Sequence, residues 1–173
     1  VVVDIGAYVG TFSVMAAAAG VVKVTAYEPS PRQFEILKLN AAEWNNIVPI
    51  QAAIVGTKER SEVSFYPGRH GVADSIIASR QRNIPVLVPA MDYCTATRSA
   101  TVVKMDIEGG EYFIDDFVSS RNLRALIVDF HRKPRWDLHM RDVNRKMIKA
   151  GFNLILIPNP GAPVTTAAVW MRS

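Results

Sequence analysis

The chain has 173 residues, 49% of them apolar, and a formal net charge of +4 at pH 7. That length suits one well-buried core rather than two domains, and the lack of repeats, low-complexity tracts or a ~20-residue apolar run excludes solenoid, disordered and helical membrane-spanning classes. The basic residues are scattered, their densest group being "HRKPR" at His131 to Arg135, short of a nucleic-acid footprint, and the single Cys94 rules out an internal disulfide or a multi-thiolate metal site.

Val1 to Ile5 form a short β-branched run that suits a strand buried on both faces. The first residue is a valine already inside that strand, with neither a starting Met nor a signal peptide. The expectation is therefore a single domain over residues 1–173, lacking an upstream segment, in the cytoplasm. A small apolar helix is predicted over Thr11 to Ala19, with Gly20 placed to end it.

A second strand, Val22 to Tyr27, leads into "EPSPRQ". There Ser30, Pro31 and Gln33 stand in register as N-cap, first-turn proline and capping-box partner, predicting a helix to about Asn45. A third strand is expected over Ile47 to Ala53. From Val55 to Tyr93 the pattern loosens, and "SEVSFYP", "PGRHG" and "IPVLVP" read as an inserted hairpin.

Regularity returns with a strand from Thr101 to Asp106, a helix from about Glu111 to Ser119 and a strand from Arg124 to Phe130. Trp136, Met140, Val143, Met147 and Ile148 recur at helical spacing, and Gly151 suits the end of that helix. Two last strands, Phe152 to Ile157 and about Thr166 to Arg172, would pair as a hairpin. The alternation predicts an α/β fold, a Rossmann-like three-layer sandwich around a mostly parallel sheet with an antiparallel last strand.

In such a sheet, ligands bind beyond the carboxyl ends of the strands, where strand order reverses. The residues there are Asp4 with the Gly6 to Gly10 turn, Glu28, Gln51, Asp106 with Glu108 and Glu111, and Asp129 with His131. A pyrophosphate site needs a glycine two residues after the first, and this chain has Tyr8. That disfavours a dinucleotide. Glu28 suits both hydroxyls of a ribose, and a ligand with a sulfonium and an ammonium would sit well among Asp4, Asp106 and Glu108. S-adenosylmethionine has those groups.

"VVDIGAYVGTFSVMAA", "AYEPSPRQFEILKLNA" and "VVKMDIEGGEYFID" occur in that order, and with "VLVPAMDY", "LIVDFH" and "AAVWMRS" they resemble the FkbM family of S-adenosylmethionine-dependent methyltransferases over nearly the whole chain. The resemblance implies a class I methyltransferase fold with a seven-stranded sheet, and O-methylation of a hydroxyl on a sugar, glycan or small natural product. The family usually has asparagine where Tyr8 stands. Asparagine tolerates left-handed backbone that a tyrosine resists, so either this turn differs or Tyr8 reaches over the cofactor.

On this reading Asp4 and Gly6 wall the methionine end of the cofactor, Ala7 and Tyr8 of the same turn also contact it, Gly10 lets the helix pack closely beside it, Glu28 and Pro29 take the ribose and adenine, and Gln51 and Ala52 touch adenine. Asp106 lies near the transferable methyl, and Asp106, Glu108 and His131 are the candidate bases for the acceptor hydroxyl. Asp74 and Ser75 either border the acceptor or, the favoured reading, stand in an ordinary surface loop. Asp106, Glu108, Glu111 and Asp129 have the oxygen chemistry of a magnesium site, but the expectation is no metal. The alternatives are a nucleic-acid methyltransferase and a cofactor-binding module without catalysis.

Overall fold

The computed structural model describes residues 1–56, 61–67, 84–114, 117–118, 120–131, 136–156 and 165–172. Its main sheet has seven strands in the order β3-β2-β1-β7-β8-β10-β9. They are β1 (Val2–Ile5), β2 (Val24–Tyr27), β3 (Ile47–Ile50), β7 (Val102–Met105), β8 (Ala125–His131), β9 (Phe152–Leu156) and β10 (Thr165–Arg172). β10 runs antiparallel to both of its neighbours and the other pairs are parallel, as the alternation predicted. Every residue of β1 is buried, which a central strand covered on both faces requires.

Helix α1 (Thr11–Ala18) follows β1, and α2 (Pro31–Ala41) follows β2. Ser30 is the N-cap of α2 with Pro31 behind it, but the serine hydroxyl makes no cap hydrogen bond, so the expected capping box does not form. Helix α2 also stops short of Asn45. Trp44 N–H folds back to Ala41 C=O, and the Asn46 amide donates to Val21 C=O, turning the chain into β3.

The expected third strand is split. The β2–β3 ladder ends at Tyr27 opposite Ile50, and Glu28 N–H adds a last bond to Ile50 C=O. Pro29 has no N–H with which to continue. The chain then passes Gln51 and Ala52 and enters β4 (Ala53–Val55), which belongs to a second sheet. There β4 pairs parallel with β6 (Val86–Asp92), and β6 pairs antiparallel with β5 (Glu62–Phe65). The insert is thus a three-stranded sheet over its own small core of Ala53, Val55, Val63, Phe65 and Val88, not an isolated hairpin. Asp74 and Ser75 lie outside the described residues.

Two further departures concern short helices. The one-turn α3 (Tyr93–Thr97) was not foreseen; Asp92 caps it, accepting from Thr95 N–H at 3.0 Å. In place of the helix expected from Glu111, a 3-10 turn spans Gly110–Phe113, and Ile114 is already extended. Helix α4 (Trp136–Lys149) buries Val143 and Met147 as its periodicity predicts, although Ile148 is exposed. Among the described residues, no helix is long and apolar enough to cross a membrane.

Candidate functional site

Strand order reverses between β1 and β7, and the loops leaving these two strands meet. Gly6 takes φ +73°, and a Cβ built on it would lie 1.8 Å from the Asp106 carbonyl oxygen, so only glycine lets the two loops close on each other. Gly10 takes φ +90°, and there a Cβ would meet Leu37 of α2 at 2.6 Å. Between them Tyr8 adopts φ +53° with its side chain part exposed. The turn therefore keeps the left-handed geometry that asparagine would suit, and a tyrosine bears the strain.

That conformation is held by Glu28. Its Oε2 accepts from Tyr8 N–H and its Oε1 from Ser30 N–H, each at 2.8 Å, and the residue is only 5% exposed. The carboxylate thus clamps the β1 loop to the start of α2 at the end of β2. Ala7 is buried and donates its N–H to Tyr27 C=O; Pro29 and Gln51 are half-buried, and Ala52 is buried where β3 gives way to β4.

Asp4 comes to this place but not to its surface. It is wholly buried, accepts from the Ser13 hydroxyl at 2.7 Å and pairs with Lys104 Nζ at 3.2 Å. Asp4 and Lys104 are partners across the β1–β7 ladder, so their side chains share one face of the sheet. Lys104 also donates to Gly6 C=O at 2.9 Å, while its distance to Asp106 is 4.0 Å. The lysine is therefore mainly the counter-ion of Asp4, and Asp4 supports the turn from behind.

At the ends of β7 and β8, Asp106, Glu108 and His131 converge. His131 Nε2 lies 3.1 Å from Glu108 Oε2 and 3.7 Å from Asp106 Oδ1. Glu108, like Tyr8, is a non-glycine residue at φ +53°. Glu111 is wholly buried and already committed, accepting from Gly109 N–H at 2.8 Å and from His131 N–H at 2.7 Å. It ties the two loops together rather than facing a ligand.

Burial alone would lower the His131 pKa, but the hydrogen bond that it donates to Glu108 and the negative charges of Glu108 and Glu111 outweigh it and lift it to about 10. The imidazole is therefore protonated at neutral pH. Its Nδ1 is 3.4 Å from Glu111 Oε1 without the alignment of a hydrogen bond, so the Glu111 effect there is chiefly electrostatic. The Asp106 carboxyl is pushed above the usual range, first by burial, with Lys104 and His131 opposing that rise.

Ser13, Tyr112 and His139 escaped the sequence reading. Tyr112 Oη donates to His131 C=O, and its ring lies against His139 at a centroid separation of 4.8 Å. His139 was detectable, because a polar residue falls there on the apolar stripe of α4. Ser13 was not, since nothing local marks one serine in a small apolar helix as the partner of Asp4.

The chain matches no family model, and no curated protein matches it in sequence. Solved structures do match. The magnesium protoporphyrin IX methyltransferase of Synechocystis PCC 6803, solved with bound SAM, has a TM-score of 0.54 at 15% identity over 99% of this chain and 69% of its own. The precorrin-6y methyltransferase of Geobacter metallireducens gives 0.54 at 13% identity over 99% and 79%. Aeropyrum pernix fibrillarin, with natively bound S-adenosyl-L-methionine, gives 0.54 at 10% identity over 98% and 65%. The fold is that of the class I methyltransferases.

Proposed function

We propose that this chain is an S-adenosylmethionine-dependent methyltransferase of the FkbM kind, acting on a hydroxyl of a sugar, glycan or small natural product. The observation that carries the reading is the meeting of the Gly6 to Gly10 turn, the buried Glu28 carboxylate and the part-exposed Asp106 carboxylate at the point where strand order reverses. The fit to the cofactor rests on donor chemistry. A carboxylate accepts in about four directions, so Glu28 can hold two backbone amides and still receive ribose hydroxyls. A sulfonium and an ammonium match the acidic ends of β7 and β8, and Tyr8 stands where a pyrophosphate would need glycine.

When bound, the cofactor supplies an activated methyl group. The chain's own contribution is alignment and proton handling. His131, holding its proton at neutral pH, donates to Glu108 and attracts Asp106 by charge alone, which keeps both carboxylates at the edge of the site. It is thus no base, contrary to what its ordinary pKa would suggest. Asp106, whose carboxyl holds a proton more firmly than usual and is part exposed, is matched to receive the proton of the acceptor hydroxyl. The sequence after β7, Asp106-Ile107-Glu108-Gly109, lacks the Pro-Pro-aromatic pattern common in amino-methylating enzymes of nucleic acids.

Calorimetric titration of the purified chain with S-adenosylmethionine, S-adenosylhomocysteine and NAD tests this. Micromolar binding of the first two, weakened by Glu28→Ala, supports the reading; binding of NAD alone would reject it. An acceptor screen then separates hydroxyl acceptors from RNA, for which tight, salt-sensitive binding would be the sign.

A further inference from the structure

Among the described residues, the carboxylates of Asp4, Asp106, Glu108, Glu111 and Asp129 gather about Lys104 and His131 at the ends of β1, β7 and β8. Lys104 is taken by Asp4 and the Gly6 carbonyl, and Glu111 by two backbone amides. His131 Nε2 lies between the two remaining carboxylates. It is well placed for Glu108 at 3.1 Å and too far from Asp106, at 3.7 Å, for a second hydrogen bond. Asp129 stands two residues before His131 on the same strand and so points to the same face. Its Oδ1 is buried and, among the described residues, has no hydrogen-bond partner.

We propose that Asp106, Glu108 and His131 form a site for one divalent cation of the manganese or magnesium type, open on one side to an oxygen of the acceptor. One donor atom from each of the three lies within 4.8 Å of the others. Around a cation with bonds of about 2.1 Å, neighbouring ligands stand about 3 Å apart and opposite ones about 4.2 Å. The observed 3.1 and 3.7 Å fall between those limits. A set of one imidazole and two carboxylates suits manganese or magnesium better than a thiophilic metal.

With His131 Nε2 as a ligand, the cation joins Asp106 and Glu108 and brings positive charge near the Asp129 oxygen that has no hydrogen-bond partner among the described residues. Asp106 ligates through Oδ1 and keeps Oδ2 for the proton of the acceptor. Asp106 and Glu108 are each more than a third exposed at the side chain, so part of the coordination sphere opens to solvent. The acceptor favoured by such a site carries two neighbouring oxygens that can ligate together, a point that rests on the methyl-transfer reading; the cation site itself does not.

The test uses the purified chain stripped with a chelator and titrated with Mn²⁺, free ion being followed by electron paramagnetic resonance. One Mn²⁺ per chain with submillimolar affinity is expected, weakened at least tenfold by Glu108→Gln and by His131→Gln. Absence of saturable binding, or equal affinity in a folded Glu108→Gln variant, would overturn the site. Because Glu108 is part exposed, that variant decides even if the histidine variant fails to fold. S-adenosylmethionine is titrated into the same samples: manganese binding without cofactor binding removes the methyl-transfer reading and leaves the cation site, and the reverse removes the cation site alone.

Discussion

Replacing Glu28 by glutamine tests whether this carboxylate is both a clamp and a ligand-binding group. Each oxygen accepts one backbone N–H at 2.8 Å, from Tyr8 and from Ser30. An amide keeps one acceptor oxygen and sets an NH₂ against the other N–H, donor facing donor. The loss is one charge-assisted hydrogen bond in a nearly dry place, about 1.5–3 kcal/mol. For a domain of this size that lowers Tm by about 3–12 °C. A ribose held by an amide instead of a carboxylate should bind about 10–100-fold more weakly, equivalent to about 1.4–2.8 kcal/mol. Scanning calorimetry reads the first effect and titration calorimetry the second. An unchanged Tm would refute the clamp, whereas a lowered Tm with unchanged cofactor affinity would refute the ribose role. Glu28→Asp, charged but one methylene too short to span both amides, should fall between.

Three further outcomes follow from the same geometry. Tyr8→Asn should raise Tm by a few degrees, since asparagine tolerates φ +53° at lower cost, by about 1 kcal/mol; an unchanged or lower Tm would mean that tyrosine packing offsets its strain. Lys104→Met should cost about 3 kcal/mol, because it strips the wholly buried Asp4 of its counter-ion, and Asp4→Asn in the same chain should recover part of that loss in urea unfolding. If the double variant is no better than the single one, the ion pair is not the cause. With a chelator present, the raised pKa of His131 makes its stabilisation complete below about pH 6.5 and lost as pH rises through about 10. Thermal melts should therefore fall over that window, and His131→Gln should flatten the fall; equal slopes would remove His131 as its source.

The departures from the expected elements share one origin. Pro29 and Gly109 are visible in the sequence, but what their neighbours bond to is not. One strand is expected over Ile47 to Ala53, yet its partner ladder ends at Glu28 and Pro29, and the chain leaves the sheet. The helix expected after Glu111 gives way to one 3-10 turn. The Glu111 side chain, rather than facing solvent from a helix, reaches Gly109 N–H and the backbone of His131 on another strand. The capping box failed for a related reason, since Ser30 spends its backbone N–H on Glu28.

Local chemistry alone determined the order of strands and helices, the left-handed turn at Gly6 and Gly10, the place of Glu28 at the end of β2, and the gathering of carboxylates after β7. Each follows from periodicity, glycine content or a position along one strand, and these survive in any environment that buries the apolar faces. Tertiary structure decided which charges meet. Asp4 and Lys104 are a hundred residues apart and pair only because β1 and β7 lie in register, and His131 exchanges its ordinary pKa for about 10 only because Glu108 and Glu111 close on it. An ion pair or a pKa shift depends on distance and burial in space, and neither is encoded in the spacing of residues along a chain.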